Sequence, residues 1–252
     1  MIDDAVVRAR QAQPAWAQMP IRERAAIFRR FSKLVLARQA EILDTIQRET
    51  HKNRLSAFEE VLDSAQLTHY YGRHAPSILR TRRRRGAIPV LTKTFEAHRP
   101  KGVVGIITPW NYPFTLPSSD VAPAVIAGNT VVLLPDHLTP DCAELMLALM
   151  REAGLPEGVV NIVHGGGRVH GTKLIEQVDY VMFTGSTATG AIVAEQCARR
   201  LIGFSGELGG KNPMLVLSDA DVAKAAAAAV RACFSNSGQL CVSVERIYVT
   251  QP

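Results

Sequence analysis

From Pro100 onward, short runs of apolar and β-branched residues alternate with stretches of helical character, and this rhythm constrains the fold more tightly than any other feature. The runs fall at 103–108, 130–134, 159–163, 180–184 and 201–205, and the helical stretches at 117–127, 141–153 and 188–199. A strand with one buried face alternates apolar and polar residues. These runs are continuous instead, so they predict a parallel sheet with helices on both faces. Right-handed crossovers then give a doubly wound, Rossmann-like α/β fold. Ligands of such sheets sit at the carboxyl ends of the strands. Glycine-containing turns lie there: His164-Gly165-Gly166-Gly167 after one predicted strand, and Gly185-Ser186-Thr187-Ala188-Thr189-Gly190 after another, opening a helix.

The first eighty or so residues read as helix. Phe28, Phe31, Val35, Ile42 and Ile46 recur at helical spacing between charged residues, and Phe58, Val61, Leu62 and Ala65 repeat the pattern. Pro20 and the polar His51-Lys52-Asn53 stretch mark breaks. Residues 87–98 alternate loosely and predict one or two extended strands. The alanines at 225–229 belong to a helix capped by Asp219 or Asp221.

Composition excludes several classes of function. With 47% hydrophobic and 21% charged residues among 252, the chain has the balance of a globular protein with a real core. No apolar run reaches the length of a bilayer span, so no membrane partner is expected. The opening Met1-Ile2-Asp3-Asp4 lacks the apolar core of a signal peptide, which predicts a cytoplasmic protein. Cys142, Cys197, Cys233 and Cys241 form no C-x-x-C pair and no zinc-ligand spacing, so neither a disulfide framework nor a metal site is expected. The formal net charge is +6, with Arg80 and the run 82–85 prominent. No aromatic residue interleaves those arginines. They read as a solvated connector between a helix and a strand rather than as a nucleic-acid patch.

Four segments carry chemical signals, and each has a bland alternative. The Gly185–Gly190 turn can present backbone N–H groups and a helix dipole to a pyrophosphate, or can simply be a tight β–α turn. Glu207, between Gly206 and Leu208-Gly209-Gly210, could activate water as a general base, or be an exposed loop acid. Asn236-Ser237-Gly238-Gln239-Leu240-Cys241 is a polar turn ending in a thiol, which could be an activated nucleophile or a core cysteine. Asn111, in Thr108-Pro109-Trp110-Asn111-Tyr112-Pro113, could offer its amide to an oxyanion, or be a turn former beside prolines.

Taken together, these segments resemble the aldehyde dehydrogenase superfamily in order and spacing. The resemblance is carried by Pro100-Lys101-Gly102-Val103-Val104-Gly105, Thr108-Pro109-Trp110-Asn111, Ala127-Gly128-Asn129-Thr130-Val131-Val132, Phe183-Thr184-Gly185-Ser186, Glu207-Leu208-Gly209-Gly210-Lys211 and Gly238-Gln239-Leu240-Cys241. Within the superfamily, Ala57-Phe58-Glu59-Glu60-Val61-Leu62-Asp63, the 82–85 arginines followed by Gly86-Ala87, and Leu201-Ile202-Gly203-Phe204-Ser205 resemble an actinobacterial-type succinate-semialdehyde dehydrogenase.

The resemblance implies oxidation of a small aldehyde, succinate semialdehyde above all, with NAD or NADP as hydride acceptor. Cys241 would add to the aldehyde as thiolate, the Cys241 N–H and Asn111 side chain would hold the oxyanion, and Glu207 would activate water to release the acid. Cofactor contacts would come from Ile106, Thr108, Pro109, Trp110, Leu134, His137, Gly165, Gly167, Phe183, Gly185, Ser186, Thr187, Gly190 and Leu208. It further implies a helical part of the cofactor-binding domain at 1–86, oligomerisation-type strands at 87–99, a dinucleotide-binding core at 100–218 and the start of a catalytic domain at 219–252. Homo-oligomers would be expected of full-length members.

Three departures bear on these expectations. Leu134 stands where the family has a Lys that bonds the adenosine ribose, a loss on the order of 1.5–3 kcal/mol. His137 stands where many NAD-preferring members carry an acid, which removes a repulsion against a 2′-phosphate and makes NADP at least as plausible as NAD. Gly206 replaces a larger residue, a change that would loosen Glu207. Family members run to nearly twice this length, so the resemblance implies an incomplete catalytic domain. The alternative reading is a nucleotide-binding or subunit-interaction fragment without turnover.

Overall fold

A computed structural model describes residues 2–88 and 91–250. Four helices come first: α1 (Ile2–Gln18), α2 (Ile21–Ala37), α3 (Gln39–Thr50) and α4 (Arg54–Ile78). The expected breaks are present. Pro20 precedes α2, His51 ends α3 in the left-handed region (φ 56°), and the Asn53 side chain caps α4 by accepting from Ser56 N at 2.9 Å. The break between α2 and α3 at Arg38 was not expected. It involves no Gly or Pro, and Arg38 N still donates to Leu34 O at 2.8 Å.

The arginine run departs from expectation. Arg82–Arg84 is a strand (β1), paired antiparallel with Thr94–Glu96 (β2). Arg84 ion-pairs with Glu96 across the ladder. Opposite charges on facing strands stabilise the pair, where sequence alone suggested a connector. The strands expected over 87–98 reduce to β2. Pro89 and Val90 lie outside the described residues.

The alternating rhythm becomes β3 (Val103–Ile107), α5 (Thr115–Ile126), β4 (Thr130–Leu134), α6 (Pro140–Glu152), β5 (Val160–Ile162), a π-helical turn (Gly167–Gly171), α7 (Thr172–Ile175), β6 (Tyr180–Thr184), α8 (Thr187–Arg199) and β7 (Gly203–Glu207). These strands form one parallel sheet in the order β5-β4-β3-β6-β7. The continuous apolar runs divide between two cores as a doubly covered sheet requires. Val104, Ile106, Val131 and Leu133 face α5 and α6, with α2–α4 packed on those helices. Val103, Val132, Leu134, Val181 and Phe183 face the start of α1 together with α7 and α8.

The last strand of this sheet starts two residues later than the 201–205 run suggested. Leu201 ends α8 in the left-handed region (φ 56°) and is 93% exposed, so the chain turns there before it can pair. The strand therefore runs through Gly206 to Glu207, in register Phe183↔Gly206 and Thr184↔Glu207. Beyond it, β8 (Asn212–Val216) and β9 (Val244–Val249) pair in parallel around α9 (Val222–Phe234). Asp221 caps α9, its carboxylate accepting from Lys224 N at 3.1 Å. This β–α–β unit begins at Asn212.

Candidate active site

The chain leaves β3 to build β4 and β5 on one side, then returns to place β6 on the other. Between the carboxyl ends of β3 and β6 the strand order reverses, and crevices of doubly wound sheets open at such points. A cleft of about 640 Å³ lies here. Asn111 reaches it from the β3–α5 connection, Glu207 from the end of β7, and Cys241 from the turn between α9 and β9. Three residues far apart in sequence thus share one wall-to-wall space.

Burial sorts the four thiols. Cys142 and Cys197 are buried, and burial is the main cause raising both of their pKa values. Cys233 is partly covered, and Cys241 is exposed. The turn carrying Cys241 is built on left-handed residues: Asn236 (φ 48°), Ser237 (φ 58°) and Gly238 (φ 77°). Such conformations in non-glycine residues need support from surrounding contacts. Asn212 supplies part of it, its amide donating to Cys241 O at 2.7 Å and Ser243 O at 3.0 Å. Gly210 lets this approach happen, since a Cβ there would stand 3.1 Å from Cys241 O.

The Asn111 amide donates to Gln239 O at 2.9 Å, which fixes it beside the thiol-bearing turn and leaves its second N–H available. Glu207 ends a strand rather than standing in a free loop, because β7 extends to it. Gly206 is paired in the ladder, and its missing Cβ leaves room for the Phe204 ring, which a Cβ would meet at 2.7 Å. Near Glu207, Asp120 on α5 is pushed up to about 7, first by burial and second by the Glu207 charge. Its Oδ2 is buried without a hydrogen-bond partner.

Every residue expected to touch a cofactor stands at or just beyond a carboxyl strand end. Gly165 and Gly167 follow β5, Leu134 and His137 belong to the end of β4, and Ile106, Thr108, Pro109 and Trp110 to that of β3. Phe183, Gly185, Ser186, Thr187 and Gly190 lie where β6 gives way to α8, and Leu208 follows β7. Pro109, Trp110, Gly185, Ser186 and Leu208 line the cleft itself. Ile106, Thr108, Leu134 and Phe183 are buried instead. Leu134 packs into the core at 2% exposure, and its carbonyl accepts from Thr108 N at 3.2 Å. His137 is exposed, and the loop around it is not free of acid. Asp136 stands beside it, 3.2 Å from His137 Nδ1, with its carboxylate accepting from Leu138 N.

The structure adds residues that sequence reasoning passed over. Glu59, Asp63 and Thr184 line the cleft. Glu59 and Asp63 lie i, i+4 on α4 inside a stretch that carried only the subfamily resemblance, and that spacing was the available signal. Lys52, Glu60 and Asn236 bind the cleft's supporting loops together. Among the described residues, no group of three or more His, Cys, Asp or Glu could hold a metal ion, and no helix is long and apolar enough to cross a membrane.

Comparison with known proteins settles the lineage. Residues 1–252 match the aldehyde dehydrogenase family throughout. The chain belongs to the aldehyde dehydrogenase family. Among aldehyde dehydrogenase relatives, a protein of Mycolicibacterium smegmatis named "Putative succinate-semialdehyde dehydrogenase", with NADP(+) in its name, is 53% identical over 97% of this chain and 47% of its own length. A "4,4'-diapolycopene aldehyde oxidase" of Methylomonas sp is 41% identical over 100% of this chain and 48% of its own. The crystal structure of an NAD-dependent aldehyde dehydrogenase from Sinorhizobium meliloti superposes with a TM-score of 0.94 at 37% identity, covering 99% of this chain and 50% of that one. The chain spans about half the length of the curated relatives it matches.

Proposed function

We propose that this chain carries the cofactor site and the reacting thiol of an NAD(P)-dependent oxidation of a small aldehyde, succinate semialdehyde being the leading substrate. The observation that carries the reading is the meeting of Cys241, Glu207 and Asn111 in one cleft at the switch point of the sheet. The name of the M. smegmatis relative supports both the substrate and NADP.

The strand ends fit a dinucleotide. Thr108 Oγ1 and Thr184 Oγ1 are buried there without partners, at the two strands that flank the switch point. The N-terminus of α8 opens beside them, capped by the Ser186 side chain. Ser186, Gly185, Thr184, Pro109 and Trp110 would hold the cofactor, which when bound supplies the hydride acceptor for the oxidation. Cys241 adds as thiolate to the carbonyl carbon, and the carbonyl oxygen becomes an oxyanion held by the free N–H of Asn111 and the Cys241 N–H. Once the adduct has been oxidised to the thioester, Glu207 takes a proton from water, which attacks and releases the carboxylic acid with the thiolate as leaving group. Loss of one oxyanion donor, as in Asn111→Ala, lowers this rate by about 10²–10³.

A second reading is favoured by one observation. α9 buries none of its residues, and β8 and β9 are largely exposed. The unit behind the thiol-bearing turn is thus thinly covered, which fits a chain that binds the dinucleotide without turning over. Thermal melting with NADP and with NAD, followed by reduced-nicotinamide absorbance with succinate semialdehyde, separates the two. Stabilisation and absorbance together support the enzyme. Stabilisation alone supports the binding module. Neither stabilisation nor aldehyde protection of Cys241 against alkylation removes both.

A further inference from the structure

We propose that Lys52, Glu60 and Asn236 form a positioning clamp that holds the Asn111 amide and the Cys241 turn in fixed register. The inference rests on the roles given to Asn111 and Cys241 above.

The clamp is a closed circuit of hydrogen bonds. Glu60 on α4 is fully buried, and its carboxylate accepts from Phe114 N at 2.9 Å, Thr115 N at 3.1 Å and Lys52 Nζ at 2.8 Å. Burial pushes the Glu60 carboxyl up, and the Lys52 charge with the two backbone donors opposes that. Lys52 also donates to Asn111 O at 2.7 Å and lies over the Tyr112 ring at 4.3 Å from its centroid. Asn111 O accepts a second bond, from the Asn236 amide at 3.2 Å. The same amide donates to Gln239 O at 3.2 Å, the oxygen that Asn111 Nδ2 reaches at 2.9 Å. The circuit therefore runs from α4 through the β3–α5 connection to the thiol-bearing turn and back to Asn111.

Each part has the character of a positioning device rather than of packing. A buried ion pair is costly unless its remaining donors and acceptors are used. Here Glu60 accepts from the backbone where the Asn111-bearing connection passes into α5, and Lys52 gives a second N–H to the Asn111 carbonyl. Asn236 adopts a left-handed conformation and is nearly fully buried, which places its amide between the two loops. None of the three lines the cleft. They act through Asn111 and Gln239.

Asn236→Gly tests this cleanly, because glycine keeps the left-handed backbone and removes only the bridging amide. Lys52→Met combined with Glu60→Gln gives a second variant with no unpaired buried charge. In the 252-residue chain, succinate semialdehyde protection of Cys241 against iodoacetamide is followed by peptide mass spectrometry, with Cys233 as internal control. We expect a roughly tenfold rise in the aldehyde concentration needed for protection in both variants, with melting midpoints within a few degrees of the parent for Asn236→Gly. Equal protection in the parent and in Asn236→Gly overturns the clamp. If the parent shows no protection, the reading of the site fails instead. The clamp is then judged by amide hydrogen exchange over 108–115, where faster exchange in Asn236→Gly supports it and unchanged exchange overturns it.

Discussion

Asp120 buries a carboxylate whose Oδ2 has no hydrogen-bond donor, close enough to Glu207 to feel its charge. Its pKa rises from the ordinary 3.8 to about 7, with burial the larger cause. In the unfolded chain the proton leaves near the ordinary value, while in the folded chain it stays until about pH 7. Between those values the folded state binds more protons, so stability falls as pH rises across that interval and is level above it. Asp120→Asn should flatten the dependence of the melting midpoint over pH 4–7 and melt higher than the parent at pH 8. A parent profile that is already flat would refute the assignment. That Cys241, Glu207 and Asn111 belong to one cleft was legible only through the resemblance of their blocks, in order and spacing, to one family, since each residue alone had a bland alternative. Lys52, Glu60 and Asn236 were not legible. A lysine, a glutamate eight residues on and a distant asparagine look like solvated residues until the fold brings them onto the same two loops.

Helices and strands of the α/β core could be placed from the pattern of apolar runs because a doubly covered sheet enforces that pattern. What escaped were features decided by single backbone angles or by partner strands. Arg38 separates α2 from α3 without a glycine or proline. The β1–β2 hairpin depends on Arg84 meeting Glu96, a pairing invisible to any local window. Leu201 delayed β7 by adopting φ 56° while exposed to solvent. Left-handed conformation costs a side-chain-bearing residue about 1–2 kcal/mol, and glycine recovers part of this after its own entropy cost. Leu201→Gly should raise stability by about 0.5–1 kcal/mol in urea unfolding, and a loss would show that Leu201 makes an unrecognised contact. At the start of the same helix, Ser186 accepts from Thr189 N at 3.2 Å. Ser186→Ala should cost about 1 kcal/mol by removing that cap, measured the same way.

For the molecule as a whole, burial is uneven. The five-stranded sheet has a core on each face, whereas the unit from Asn212 to Val249 leaves Leu215, Val222, Val230 and Val249 exposed, and Phe234 is 70% exposed. Exposed apolar side chains in this number bind hydrophobic dyes. The native chain should enhance anilinonaphthalene sulfonate fluorescence, and Phe234→Ser should cut that enhancement without altering the melting of the sheet. Equal fluorescence in the two would place the dye site away from Phe234. The clamp between Lys52, Asn111 and the thiol-bearing turn has a different consequence, one of timing. Its bonds join residues 59, 125 and 128 positions apart, so closing them comes late in any order of folding events. On a translating ribosome the amide that would steady an oxyanion emerges long before the thiol it serves. On the proposed reading, a nascent chain can form the crevice between β3 and β6 before the thiol that would react with an aldehyde has left the ribosome.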